Sequence, residues 1–200
     1  MQAISPCLNT IRQFHAAVFS ECLGLIALRS FRESGDRDSS KKPVMEWVEN
    51  DSDATGRIYT FAESANNRGM ACYCIPGIVA ERGMAGSANV VSMQTLLTDI
   101  DTGNTAEKLD SAVKYLGKPT LVVESGGITD MGHPKIHAYW KLAQPVTGDE
   151  LRKLVQARHE IAVKIGGDEH FKSAHQPIRI AGSIYHKTQP SKLVTIREAL

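Results

Sequence analysis

The chain has 200 residues, of which 42% are apolar and 22% are charged, with a formal net charge of +1. These values are ordinary for a globular protein and allow one large domain or two small lobes. No apolar run approaches the roughly 18 residues of a membrane span, and the first residues lack the basic and apolar regions of a signal peptide. The composition therefore excludes an integral membrane protein and predicts no membrane partner.

The four cysteines have a spacing that fits no common zinc motif. They are Cys7, Cys22, Cys72 and Cys74. Free cysteines in apolar surroundings are usually buried thiols, which persist in a reducing compartment. We therefore predict a cytoplasmic protein without disulfides.

The first part of the chain predicts one helix and several strands. Apolar residues recur at helical spacing over residues 6–20. Strands are predicted at residues 24–31, 57–61 and 70–75, the last ended by Pro76-Gly77, and residues 32–43 are polar and predict a loop.

The second part predicts two helices that cover a mostly antiparallel sheet. The helices span residues 105–116, with Thr105 as candidate N-cap, and 147–165, with a possible capping box at Thr147. One predicted strand ends at Asp101. Four more cover residues 120–124, 135–142, 178–180 and 193–197, and residues 125–127 predict a turn after the first of these four. The whole pattern is typical of an α+β fold.

Asp99 and Asp101 are the most informative pair of residues. They follow an apolar run and precede Thr102-Gly103-Asn104, which predicts a buried strand that ends in a turn. On a strand, residues i and i+2 point to the same face, about 6.5 Å apart. Two like charges so placed repel each other unless a cation neutralises them. The pattern favours a divalent-metal site over a merely polar strand end.

Charge is distributed unevenly along the chain. Residues 94–110 are acidic, whereas residues 169–200 are basic and contain three histidines. This asymmetry suits a metal ion together with a polyphosphate or a nucleic-acid backbone. Charge alone, however, favours a solvated surface without a partner over a binding site.

Three segments together resemble the motifs of the archaeo-eukaryotic primase superfamily. Residues 97–101, Leu-Thr-Asp-Ile-Asp, resemble the first motif. Residues 124–127, Glu-Ser-Gly-Gly, followed by the His137 strand at 135–140, resemble the second. Gly166-Gly-Asp168 and the segment 178–187 resemble the third. The resemblance covers residues 70–200 and is nearest to replication primases of plasmids and phage-like mobile elements.

The resemblance implies an RRM-like catalytic sheet with flanking helices and a second small α/β lobe. Residues 1–200 would form one primase-polymerase domain of two packed lobes, at the N-terminal part of a longer replication protein. The chain has no ATPase P-loop. A helicase partner is therefore expected beyond residue 200 or on another chain.

The resemblance also implies roles for individual residues. Asp99, Asp101 and Asp168 would hold two divalent ions, Mg²⁺ or Mn²⁺. The phosphates of the nucleotide would meet His137 and the backbone N–H groups of Ser125, Gly126 and Gly127, and Arg179 and Lys187 would contact triphosphate or template phosphates. Within 136–140, His137 and Tyr139 share one strand face, and we expect the other face, with Ile136, Ala138 and Trp140, to be the core.

The sequence departs from the family pattern at the third carboxylate. Ser173, Ala174 and His175 occupy a stretch where many relatives carry an aspartate. Asp168 is the nearest acid and our candidate for the third ligand. It could instead cap the preceding helix or solvate the loop, and His175 could replace it.

The resemblance implies a template-dependent nucleotidyltransferase. Its partners would be a single-stranded DNA template and NTP or dNTP substrates. Two alternatives stay open, a metal-dependent nuclease that uses the same aspartates and a non-catalytic module that binds DNA at a replication origin.

Overall fold

The computed structural model describes residues 4–33 and 43–197. Its helices are α1 (Leu8–Phe19), α2 (Ala54–Asn67), α3 (Thr105–Leu116) and α4 (Gly148–Ile165). Its strands are β1 (Leu25–Phe31), β2 (Val44–Glu49), β3 (Ala71–Val79), β4 (Val90–Ile100), β5 (Leu121–Ile128), β6 (Pro134–Thr147), β7 (Ile178–Arg179), β8 (Ile184–Tyr185), β9 (Lys192–Leu193) and β10 (Thr195–Arg197). Most of the predicted loop at 32–43 lies outside the described residues.

Eight strands form one antiparallel sheet in the order β10-β5-β6-β4-β3-β1-β2, with β7 paired to β3. A separate hairpin pairs β8 with β9. The predicted α+β class with a mostly antiparallel sheet is confirmed. Between β3 and β4 the register joins only Ile78 to Ser92 and Val79 to Val90, so the sheet is least continuous there. The division into two lobes stays a prediction.

Both faces of the sheet are buried. One face packs on α1 and α2 through a cluster that includes Phe14, Ile58, Leu97 and Tyr139. On the other face, α3 and α4 cover Ile100, Ala138 and Trp140 among others. None of the helices in the described ranges is long and apolar enough to cross a membrane. Cys22, Cys72 and Cys74 are buried free thiols, as predicted, whereas Cys7 is only partly buried.

The predicted strand at residues 57–61 is wrong, because these residues lie inside α2. Their side chains, Arg-Ile-Tyr-Thr-Phe, have high strand propensity as a short run. The longer segment, however, buries Ala54, Ile58, Phe61, Ala62 and Ala65, which fall on one face of a helix, at i, i+4, i+7, i+8 and i+11. This helical periodicity buries one face against the sheet, and tertiary packing therefore outweighs local propensity.

The prediction that Pro76-Gly77 ends strand β3 is wrong, because the strand continues to Val79. The register between β1 and β3 shifts at this point, which places Pro76 in an irregular part of the ladder where a missing N–H is tolerated. A Cβ on Gly77 would lie 2.7 Å from the Ser92 carbonyl oxygen. Glycine thus permits the close approach of β3 to β4.

Two predicted helix caps differ from the structure, although the helices themselves are confirmed. Asn104, rather than Thr105, caps α3, because its side chain accepts hydrogen bonds from the N–H groups of Ala106 and Glu107. Thr147 is at the N-cap of α4, but its side chain makes no capping hydrogen bond. The predicted capping box is therefore absent there.

Candidate active site

The antiparallel register of β4 and β6 places Asp99 directly opposite His137. His137 Nε2 lies 3.5 Å from Asp99 Oδ1, and their side chains are 9% and 21% exposed. Val123 of β5 flanks His137 on its other side. The first two predicted motifs therefore meet at one end of the central strands.

Asp101 lies one residue beyond the end of β4 and faces a lysine. Lys135 Nζ is 3.3 Å from Asp101 Oδ2, and both side chains are about one-third exposed, at 34% and 36%. Lys135 and His137 are two residues apart on β6, as Asp101 and Asp99 are at the end of β4. Each carboxylate of the predicted metal pair thus has a basic side chain opposite, which offsets the repulsion between the two acids.

Asp168 is brought to the same strand end by the turn after α4. Gly166 ends the helix in the left-handed region, with φ of 69°. A Cβ on Gly167 would lie 2.9 Å from the Asp99 carbonyl oxygen. The Asp168 N–H donates to that oxygen at 2.9 Å, while Asp168 Oδ1 accepts from the His170 N–H at 2.8 Å. Asp168 is therefore beside Asp99 through its backbone.

The burial around His137 corrects one expectation. We expected only the face with Ile136, Ala138 and Trp140 to be the core, but Tyr139 on the other face is fully buried as well. His137 itself is 7% exposed, and its Nδ1 lies 3.5 Å from the Tyr139 hydroxyl. At the strand end next to His137, Asp99 and Asp101 remain partly exposed.

Arg179 and Lys187, both predicted to contact phosphates, converge on a carboxylate that we did not predict. Arg179 Nη2 donates to Glu33 Oε1 at 2.5 Å, and Lys187 Nζ is 3.3 Å from the same oxygen. Burial raises the pKa of Glu33, but the hydrogen bonds from Arg179 and Tyr73 and the charges of Arg179 and Lys187 together outweigh it, so the pKa is lowered overall. The two predicted phosphate contacts therefore form one ion-pair cluster.

Gly126 connects this cluster to the strands of the aspartate site. The predicted turn at residues 125–127 is wrong. These residues are an irregular part of β5, at the point where the register of β5 with β6 shifts. A Cβ on Gly126 would lie 2.6 Å from the Tyr185 Cβ, and the Tyr185 ring stacks on the Arg179 guanidinium at 5.0 Å. The Ser125 hydroxyl donates to the Lys135 carbonyl at 3.2 Å, which joins β5 to β6. The phosphate role of Ser125 and Gly126 stays a prediction.

Replacing Gly126 by alanine is expected to destabilise the fold by about 3 kcal/mol, because it adds a steric clash to an unfavourable backbone conformation. Gly132 is the matched control, since its φ of 81° is also positive, like the 96° of Gly126, but an added Cβ there would meet no atom within 4 Å. Gly132→Ala should cost only about 1 kcal/mol. Urea unfolding of both variants measures the difference, and equal losses would contradict the packing against Tyr185.

The aspartate site has the donor atoms that Mg²⁺ or Mn²⁺ prefers. Both ions bind carboxylate oxygens, and Mg²⁺ usually takes one or two carboxylates together with substrate phosphates and water. Asp99 and Asp101 are partly exposed on one strand end, which fits this donor set. Among the residues that the structure describes, no three His, Cys, Asp or Glu side chains lie close enough to form a complete metal site.

Four neighbours of the predicted residues were missed in the sequence. Lys135 could have been found, because it precedes His137 by two residues and must share its strand face. Glu33, Tyr73 and Tyr185 left no such signal. Glu33 pairs with a residue 146 positions away, and no local pattern predicts that contact.

No protein-family model and no curated protein sequence matches this chain. Solved structures do match. The AEP domain of the cyanophage S-2L primase-polymerase superposes with a TM-score of 0.68 at 18% identity, and the match covers 98% of this chain and 92% of that one. Primase RepB′ gives a TM-score of 0.64 at 16% identity over 96% of this chain and 56% of that chain.

The catalytic domain of primase RepB′ in complex with initiator DNA gives a TM-score of 0.63 at 15% identity, over 94% of this chain and 84% of that one. Identities this low establish shared architecture rather than shared chemistry. The chain therefore has the fold of the archaeo-eukaryotic primase-polymerase domains, as the resemblance of its motifs implied.

Proposed function

We propose that this chain is the catalytic domain of a template-dependent nucleotidyltransferase that synthesises primers. The observation that carries the proposal is the pairing of Asp99 with His137 across β4 and β6, in a fold shared with primases and a primase-polymerase. The catalytic domain of primase RepB′ was solved in complex with initiator DNA, which supports DNA as a partner here, and we take single-stranded DNA as the template.

In the proposed reaction, the 3′-hydroxyl of one nucleotide attacks the α-phosphate of the next. The new phosphodiester bond forms as the bond to the β-phosphate breaks, so that pyrophosphate leaves and the hydroxyl proton is lost. His137, Arg179 and Lys187 neutralise the negative charge on the triphosphate. Positioned hydrogen-bond donors are effective here because phosphoryl transfer depends mainly on positioning and electrostatic stabilisation.

Asp99 and Asp101, with Asp168 as the third candidate, would hold the divalent ions. Bound Mg²⁺ or Mn²⁺ supplies charge neutralisation at the triphosphate and lowers the pKa of the attacking hydroxyl. The side chains of Asp99 and Asp101 are held at the strand end by their pairs with His137 and Lys135, respectively.

The mobile-element setting and the helicase partner also belong to this proposal. Both rest on the resemblance of the motifs, and the mobile-element setting is also supported by a structural neighbour from a cyanophage. An affinity pull-down with the full-length gene product from its host tests the helicase partner.

The test of the proposed function is a synthesis assay on single-stranded DNA with labelled nucleotides. The wild-type chain should extend products only when Mg²⁺ or Mn²⁺ is present. Degradation of the template would instead identify a nuclease. Template binding without nucleotide incorporation would favour the non-catalytic DNA-binding module, the alternative that the departure from the family pattern near Ser173 keeps open.

A further inference from the structure

Glu33 accepts two hydrogen bonds and one ion pair on a single oxygen in a largely buried position. Its side chain is 5% exposed, and Arg179 Nη2, Lys187 Nζ and the Tyr73 hydroxyl all contact Oε1. A buried carboxylate is costly unless it is paired and hydrogen-bonded. Here one acid serves two cations, which leaves a net positive charge in the cluster and favours an anionic ligand.

The guanidinium of Arg179 is held rigidly by this arrangement. It lies 4.6 Å from the centre of the Tyr73 ring and 5.0 Å from that of Tyr185. Its Nη2 also donates to the Tyr73 hydroxyl at 2.7 Å. A planar guanidinium fixed between rings is a preorganised donor, because little rotamer freedom remains to be lost when it binds phosphate oxygens.

Arg179 also has donors left over. Its Nε and Nη1 atoms are buried and have no hydrogen-bond partner among the described residues. An unsatisfied buried donor costs free energy, and an arriving phosphate oxygen would remove that cost. Lys187 differs, because its side chain is 49% exposed and reaches Glu33 only at 3.3 Å. Lys187 can therefore exchange Glu33 for a phosphate, whereas Arg179 stays in place.

We propose that Glu33 is a positioning residue for the triphosphate of the incoming nucleotide. It fixes Arg179 through Nη2 so that the remaining donors face the ligand, and it retains Lys187 until the phosphates arrive. This inference rests on the proposed function, and it adds a residue outside the three motifs to the nucleotide site. The Tyr185 side chain packs against Gly126 of β5. It thereby links the cluster to the strand that flanks His137.

The test is a double-mutant cycle on nucleotide binding without synthesis. Isothermal titration calorimetry with dATP and Mg²⁺, without template, gives the dissociation constant of each variant. Glu33→Gln keeps the size of the side chain and an acceptor for Tyr73, yet it should raise the dissociation constant about tenfold because it loses a charge-assisted bond to Arg179. In an Arg179→Gln background, Glu33→Gln should raise the dissociation constant less than about twofold, because only its contact with the half-exposed Lys187 is left to lose.

Two further variants keep the test informative. Tyr73→Phe removes only the hydroxyl that Glu33 and Arg179 share, and should raise the dissociation constant about threefold even if Glu33→Gln does not fold. Glu46→Gln removes the same charge from an exposed position on β2 and should leave the dissociation constant unchanged.

Independent effects of Glu33→Gln and Arg179→Gln would overturn the inference, because a purely structural Glu33 acts on the fold and not through Arg179. Tighter dATP binding by Glu33→Gln would overturn it too, since Glu33 would then compete with the phosphates. If the wild-type chain binds neither dATP nor ATP, the proposed function fails and this inference fails with it. That outcome differs from the others, in which the wild type binds.

Discussion

The Asp99→Asn/Asp101→Asn double variant is expected to reduce primer synthesis at least about 1,000-fold, which is about 4 kcal/mol of transition-state stabilisation. An amide keeps the shape of each side chain but loses the charge that attracts a divalent ion. Synthesis on single-stranded DNA at several Mg²⁺ and Mn²⁺ concentrations measures the loss.

The same variant should remain folded, because repulsion between two adjacent carboxylates is removed along with their pairs to His137 and Lys135. Asp110→Asn on the exposed side of α3 is the matched control and should retain full synthesis. A double variant that keeps more than about one-tenth of the activity would show that the strand-end acids do not hold the catalytic ions.

The central part of the site could be predicted because it depends on local rules. Period-two alternation places Asp99 and Asp101 on one strand face. The same rule places Lys135 and His137 on one face of β6. Antiparallel pairing then needs only one correct register to bring the two pairs together, and the observed partner of Asp99 is His137.

The rest could not be predicted because it depends on contacts between distant segments. The tripeptide at 125–127 has the composition of a turn, yet it continues β5 because Tyr185 packs against Gly126. Short β-branched and aromatic runs likewise do not distinguish a strand from a helix whose buried face spans several turns, as in α2. Whether such a segment forms a turn, a strand or a helix depends on the residues that it packs against and not on its own sequence alone.

Asp168→Asn tests the candidate for the third metal ligand. It should lower primer synthesis about 100-fold without a change in melting temperature. Asparagine retains a side-chain oxygen that can accept the His170 N–H, which Asp168 Oδ1 binds at 2.8 Å. The loop should therefore keep its conformation while the carboxylate charge is lost. Calorimetric titration with Mn²⁺ provides a readout that does not depend on synthesis.

Asp168→Ala separates a metal ligand from a residue that only shapes the loop. Alanine loses both the charge and the side-chain hydrogen bond to the His170 N–H. The Asp168→Ala variant should therefore be as inactive as Asp168→Asn and also less stable by about 1 kcal/mol. If Asp168 only shapes the loop, Asp168→Asn will be fully active and Asp168→Ala alone will be affected. The backbone bond from the Asp168 N–H to the Asp99 carbonyl does not involve the side chain, so a difference in Mn²⁺ affinity between the wild type and Asp168→Asn must come from the carboxylate itself.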